Sequence, residues 1–278
     1  MLEAVLFDLD MTLVDFISFK QNTARAAAKA MVENGLPASE QQAYGQIFFV
    51  YDAHGMEYEK TYFQVVSSYG LEINKAERIQ QAAIVAHQKV MMEALRTYPM
   101  VLPTLAELRA MRLRLGLVSD GPRNKVWKRL VITGLAGEFP VVVTHTDTVK
   151  YKPDPSPFLL AVEMLGVEPG KILFVGDDRS RDIRGAKEVG MITCHARYGS
   201  LGMKGYARYV KELEVEADFT IGRFEELIKV ADRTGIEPDI DELIGKGKLS
   251  KLWRRGKLAA LSARTRAAQS PVVRRLKK

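Results

Sequence analysis

The sequence predicts an α/β protein: a parallel sheet with helices on both faces, an all-helical insert, and a basic C-terminal extension. Three observations predict it. The run Ala4-Val5-Leu6-Phe7 is apolar and uncharged, as expected of a strand buried on both faces, and it ends at two acids, Asp8 and Asp10. Residues 15–97 show helical patterning with no strand signal. From Tyr98 onward, short apolar strands alternate with helices, the rhythm of repeated βα units.

Taken in order, Thr23–Val32 is rich in strong helix formers and stops at Asn34-Gly35. Ser39 and Gln42 have capping-box spacing ahead of a second helix over Gln41–Tyr51. A third helix is expected over Glu57–Tyr69, closed by Gly70, and a fourth from a cap at Asn74 and Glu77 to about Arg96. Beyond Tyr98 the expected elements begin with a helix over Leu105–Met111, a strand over Leu115–Val118 and a helix over Asn124–Leu130. A strand over Pro140–Thr144, a helix over Phe158–Leu165 and a strand over Lys171–Val175 follow. The series closes with Ile183–Val189 (helix), Met191–Cys194 (strand), Asp218–Ile221 (strand) and Phe224–Ala231 (helix). This divides the chain into a Rossmann-like core at 1–14 and 98–235, a helical segment at 15–97, and a tail at 236–278.

At 278 residues the chain can bury a sizeable core, and 47% hydrophobic with 27% charged residues is ordinary for a globular protein. The single cysteine, Cys194, excludes an internal disulfide framework and reads as an inert core residue. No apolar run approaches the ~20 residues of a membrane span, and no secretory signal is visible, so the expected location is the cytoplasm. The net charge of +7 is concentrated at one end. Residues 243–278 carry 12 Lys or Arg and no acid, leaving 29 basic against 34 acidic residues in the remainder. Any acidic partner, whether nucleic acid or an anionic membrane surface, therefore belongs to the tail, where Leu249, Leu252, Trp253, Leu258 and Leu261 approximate an apolar helical face. The plainer reading is a solvated extension, or a helix packed on the protein itself or on a second subunit.

The chemistry gathers at strand ends. Asp8, Asp10 and Thr12 follow the first strand, Ser119 ends the second, and Asp177, Asp178 and Asp182 follow the strand at 171–175. Lys152 stands on a loop before Pro153. Parallel strands place their carboxyl ends on one edge, where open α/β sheets bind ligands. Converging carboxylates repel unless a cation compensates, and oxygen-only donors favour a hard ion such as Mg²⁺. With Lys152 beside them, these groups form a pocket suited to a dianionic phosphoryl group.

These pieces resemble the haloacid-dehalogenase-like hydrolases over about residues 1–235. Asp8-Leu9-Asp10-Met11-Thr12 resembles the first motif (DxDxT), Ser119 the second, Lys152 the third, and Gly176-Asp177-Asp178-Arg179-Ser180-Arg181-Asp182 the fourth (GDxxxxD). The helical segment after the first motif resembles that superfamily's cap. The resemblance implies that Asp8 is a nucleophile forming an aspartyl-phosphate, and that Asp10 is the acid and then the base. It also implies that Asp8, Asp10 (through its carbonyl) and Asp177 hold Mg²⁺, with Asp178 and Asp182 either ligating or orienting the ligands. Thr12, Ser119 and Lys152 would bind the phosphoryl group. Dehalogenases of the superfamily lack the second acid, so Asp10 directs the reading to phosphate chemistry.

The implied activity is Mg²⁺-dependent hydrolysis of small phosphomonoesters such as phosphoglycolate, triose phosphates or sugar phosphates. A phosphomutase is the enzymatic alternative, and binding through the basic tail is the non-enzymatic one. Met11 departs from the Gly or Asn found in many relatives. Phe16, Phe19, Lys20 and His54 are candidates for substrate contact. The other histidines, Asp120 and the glycines at 199, 202 and 205 read as structural or surface features.

Overall fold

The computed structural model describes residues 1–200 and 214–235, so the tail and Gly202 and Gly205 lie outside the described residues. The compact unit from Leu2 to Asp232 is built on a six-stranded parallel sheet of order β3-β2-β1-β4-β5-β6. Its strands are β1 Ala4–Phe7, β2 Arg114–Ser119, β3 Val141–Thr144, β4 Ile172–Gly176, β5 Ile192–Ala196 and β6 Phe219–Ile221.

Every residue of β1 is buried, and alternate side chains enter separate hydrophobic layers. Val5 and Phe7 pack with Leu105 and Leu108 of α5 (Val101–Ala110), Val126 and Leu130 of α6 (Arg123–Ile132), and Leu227 of α11 (Leu227–Gly235). Ala4 and Leu6 face the other way, toward Phe158 and Ala161 of α8 (Pro155–Leu165) and Ala186 of α9 (Arg184–Glu188). The period-2 alternation of a strand thus produces a three-layer α/β/α sandwich.

Residues 16–94 contribute four helices, α1 Phe16–Glu33, α2 Glu40–His54, α3 Thr61–Ser67 and α4 Ile73–Ala94. Ala24, Ala27, Ala28 and Met31 recur at i, i+3, i+4 and i+7 along α1 and pack with Ile79 and Ala83 of α4, small side chains that admit close helix contact. Ile47, Val50 and Tyr51 of α2 and Val65 of α3 complete this separate core. The capping box is present: Gln42 N–H donates to Ser39 Oγ at 3.2 Å, and Ser39 N–H to Gln42 Oε1 at 2.8 Å.

Boundaries differ from expectation where tertiary burial overrides propensity. Helix α1 begins seven residues earlier than Thr23, at an Asp15 cap, because Phe16, Ile17 and Phe19 are drawn into the core. Helix α3 starts at Thr61, not Glu57, which leaves Glu57 on a loop. The cap of α4 is Glu72, whose carboxylate accepts from Asn74 and Lys75 N–H, in place of Asn74 with Glu77. Strand β5 runs past Cys194 to Ala196, and a π-helical turn over Arg179–Ile183 precedes α9. Among the described residues, no helix is long and apolar enough to cross a membrane.

Candidate active site

The strand order reverses at β1: β2 and β3 lie to one side, β4, β5 and β6 to the other. The crevice beyond the carboxyl ends of strands at such a switch point is where open sheets bind ligands. The pairing of Phe7 with Val175 places Asp8 and Asp177 side by side beyond the ends of β1 and β4, and Asp8 N–H donates to the Val175 carbonyl at 2.9 Å.

Asp182 joins them from the π-helical turn. Asp8, Asp177 and Asp182 each offer a carboxylate oxygen within 4.8 Å of the others, and all three are buried. Asp182 approaches so closely that a Cβ on Gly176 would lie 2.5 Å from its side chain, which accounts for the glycine at the head of this motif. Lys152, 3% exposed, places its Nζ 2.5 Å from Asp8 Oδ1 and 2.7 Å from Asp182 Oδ1.

One ammonium does not balance three buried carboxylates. Burial, joined by the charges of Asp182 and Asp8, pushes the Asp177 carboxyl well above its ordinary range. Asp8 is raised by burial although Lys152 opposes it, and Asp182 is raised by burial to about 7. Burial works against the charge of Lys152, yet Asp182 and Asp8 hold the lysine firmly protonated. The residues fit a divalent cation on this ground: the donors are all hard oxygens, lie within 4.8 Å of one another, and keep a repulsion that Lys152 and Arg181 relieve only in part.

Asp178 does not join the cluster. Its carboxylate caps the π-helical turn, accepting from Ser180 N–H at 2.9 Å and Arg181 N–H at 3.1 Å, and pairs with Arg181 Nε at 2.7 Å. Asp120 organises the same edge: Oδ1 accepts from Lys152 N–H at 2.9 Å, and Oδ2 lies 3.2 Å from Arg181 Nη1. Ser119, at the end of β2, accepts from Gly121 N–H through Oγ at 3.2 Å.

The loop after β1 holds two polar atoms without protein partners among the described residues, Asp10 Oδ1 and Thr12 Oγ1. Met11 sits between them at φ +68°, the left-handed region that Gly or Asn adopts more readily than Met. Its side chain is anchored in compensation, with Sδ accepting from Ile17 N–H at 3.4 Å. The Tyr198 hydroxyl donates to the Thr12 carbonyl at 2.6 Å. Gly199, read from sequence as surface loop, is buried against this turn, and a Cβ there would lie 1.8 Å from the Met11 carbonyl oxygen. His195, at the end of β5, places Nε2 3.1 Å from the Asp177 carbonyl oxygen and 2.8 Å from Ser200 Oγ.

Three site residues escaped the sequence reading. Arg129 of α6, 3% exposed, places Nη2 3.0 Å from Asp10 Oδ2 and Nη1 2.5 Å from Glu57 Oε1. Lys125, one turn earlier, lies 3.1 Å from Glu57 Oε2. An arginine three residues after Val126 and one before Leu130, on the buried stripe of α6, was the available signal. These residues border a cavity of about 350 Å³, also lined by Phe19 and Lys20 of α1 and Tyr51 of α2. Of the earlier candidates, Phe19 and Lys20 line it; Phe16 and His54 do not, His54 stacking on Tyr58 at 4.5 Å.

Residues 2–190 match the haloacid dehalogenase-like hydrolase family. The chain is 33% identical over 232 residues to glyceraldehyde 3-phosphate phosphatase of Methanopyrus kandleri, spanning 83% of this chain and 97% of that protein. It is 32% identical over 200 residues to phosphoglycolate phosphatase of Yersinia pseudotuberculosis, covering 71% and 82% of the two chains. The solved structure of a HAD phosphatase from Thermococcus onnurineus superimposes with a TM-score of 0.58 at 27% identity, over 83% of this chain and 98% of that one. The chain is thus an enzyme of the haloacid dehalogenase-like hydrolase family, and the named relatives it matches are phosphatases.

Proposed function

We propose that the protein is a Mg²⁺-dependent phosphatase that hydrolyses small phosphomonoesters through an aspartyl-phosphate on Asp8. The observation that carries this reading is the buried trio Asp8, Asp177 and Asp182 with Lys152 among them, beside Asp10. Phosphoglycolate, triose phosphates and sugar phosphates fall within the class, in keeping with the named substrates of the relatives.

The Asp8 carboxylate attacks phosphorus, forming a P–O bond to its own oxygen as the bond to the leaving oxygen breaks. Asp10 donates its proton to that leaving oxygen, then takes one from the water that attacks the acyl phosphate, releasing inorganic phosphate and restoring Asp8. Burial raises the Asp10 carboxyl above its ordinary value, with Arg129 opposing, so the group can hold a proton when needed. Lys152 and the Ser119 and Thr12 hydroxyls bind phosphoryl oxygens; Thr12 Oγ1 has no protein partner to give up. Mg²⁺ would be held by Asp8, Asp177 and the Asp10 carbonyl, supplying positive charge against the dianionic group. Asp178 and Arg181 fix the turn that carries Asp182. The segment 15–97 acts as a cap, excluding bulk water, and the single buried cysteine suits a cytoplasmic enzyme.

The test is phosphate release from p-nitrophenyl phosphate with and without Mg²⁺, alongside Asp8→Asn. Turnover that needs the metal and disappears in the variant is expected. Metal-independent turnover, or full activity in the variant, overturns the mechanism. Release of inorganic phosphate from a sugar phosphate, without a phosphorylated isomer, separates the hydrolase from a phosphomutase.

A further inference from the structure

We propose that the cavity beside Asp10 selects phosphomonoesters bearing a second anionic group, and that Glu57 occupies the seat of that group in the free protein. The inference rests on the phosphatase reading and names the substrate class of that site.

The cavity is joined to the reacting centre through Arg129, which pairs with Asp10 on one side and Glu57 on the other. It is therefore placed for the part of the substrate beyond the leaving oxygen. Its walls are unevenly charged: Lys20, Lys125, Lys128 and Arg129 against Glu57 and Glu59.

Lys20 makes the imbalance concrete. It is 6% exposed, and among the described residues no carboxylate lies within 4 Å of its Nζ. The ammonium donates to the Met56 carbonyl and stands 5.2 Å from the ring centroids of both Phe16 and Tyr51. Glu57 acts on this charge only from beyond contact distance. A buried ammonium with no carboxylate in contact is costly, and carbonyl and π contacts recover only part of the lost hydration. Arg129, although paired with Asp10 and Glu57, keeps a buried Nε with no hydrogen-bond partner among the described residues. A neutral hydroxyl or aldehyde satisfies a donor and leaves the charge uncompensated; a carboxylate or phosphate satisfies both.

Glu57 shows what the cations accept. Its carboxylate spans Arg129 and Lys125 from a loop between α2 and α3, where the Lys125 ammonium also donates to its backbone carbonyl. Burial opposes its ionisation, yet Lys20, Arg129 and Lys125 together hold it at about 2. An incoming anion that displaces Glu57 exchanges one negative partner for another, so the cations are never stranded. A carboxylate and a second phosphate share this chemistry, and only phosphoglycolate, of the two substrates named for the relatives, carries such a group.

The experiment measures kcat/KM with Mg²⁺ for two matched pairs: 3-phosphoglycerate against glyceraldehyde 3-phosphate, and fructose 1,6-bisphosphate against fructose 6-phosphate. A preference of tenfold or more for the anionic member of either pair is expected, and the responding pair tells carboxylate from phosphate. Lys20→Met should cut that preference at least tenfold through KM, while Glu57→Gln lowers KM for the anionic member. Equal kcat/KM within both pairs overturns the inference, as does a Lys20→Met variant that loses activity on both members in parallel. If p-nitrophenyl phosphate is hydrolysed and no preference exists, only this inference falls; if no ester is hydrolysed, the phosphatase reading falls instead.

Discussion

The Arg129 guanidinium lies 3.0 Å from the Asp10 carboxylate and joins it to Glu57, linking helix α6 of the core to the loop between α2 and α3. Both ends of this bridge are acids, and its centre is almost wholly buried. Removing one partner of a buried ion pair costs about 3–5 kcal/mol, because the remaining charges are left without compensation. Arg129→Met should lower stability by about that amount, read as a fall in the urea midpoint. Arg129→Lys should recover less than half of the loss, since a single ammonium does not reproduce a planar fork aimed at two carboxylates.

Divalent metal should stabilise the fold by mass action. At a hundredfold excess over its dissociation constant, a ligand that binds only the folded state adds about 2.7 kcal/mol. For a protein of this size that corresponds to a rise in Tm of roughly 5–10 °C with Mg²⁺. Circular dichroism melts with and without the ion measure it, and Asp177→Asn should abolish the rise.

Gly199 has no room for a side chain. With the added carbon 1.8 Å from the Met11 carbonyl oxygen and 2.8 Å from Asp177 Cβ, Gly199→Ala must displace the first motif, the fourth, or both. A stability loss of about 1–3 kcal/mol is expected, together with a fall in kcat of roughly a hundredfold from misplaced reacting groups. Phosphate-release kinetics and urea unfolding of the same variant would report both.

Glu57 should leave a signature in acid. Burial favours its neutral form, but Lys20, Arg129 and Lys125 outweigh burial and set the folded value at about 2, below the 4.5 of a free glutamate. The folded state therefore binds fewer protons than the unfolded state between these values. The stabilisation is fully present above pH 4.5 and is lost as pH falls toward about 2. Allowing for its partly exposed side chain, about 1–2 kcal/mol should disappear across this window. Comparing urea midpoints of wild type and Glu57→Gln at pH 6 and pH 3 checks it, the gap being wider at pH 6.

The convergence of the carboxylates was legible because it is local to strand ends. Asp8 and Asp177 each directly follow a buried apolar run, and parallel pairing leaves them little choice but to meet. Asp182 and Asp178 were inseparable in sequence because the π-helical turn decides between them, turning one carboxylate inward and using the other as its cap. Arg129, Lys125 and Glu57 were missed because their meaning is wholly tertiary: 68 or more residues separate Glu57 from the cations it pairs with. The early start of α1 was hidden by Phe16, Ile17 and Phe19, whose modest helix propensity is overridden by burial.

The central position of β1 has a consequence for the order in which the protein assembles. Ala4 pairs with Arg114 on one side and Ile172 on the other, so β1 has neither of its sheet neighbours until more than a hundred further residues exist. The helices of residues 16–94 pack largely on one another and have their contacts available far sooner. During vectorial synthesis β1, buried along its whole length in the folded protein, precedes both of its sheet partners, while the helices that follow it have one another to pack on. Asp8 and Asp177 cannot meet until β4 has emerged, so the carboxylate cluster forms later than the contacts among the helices of residues 16–94 become available.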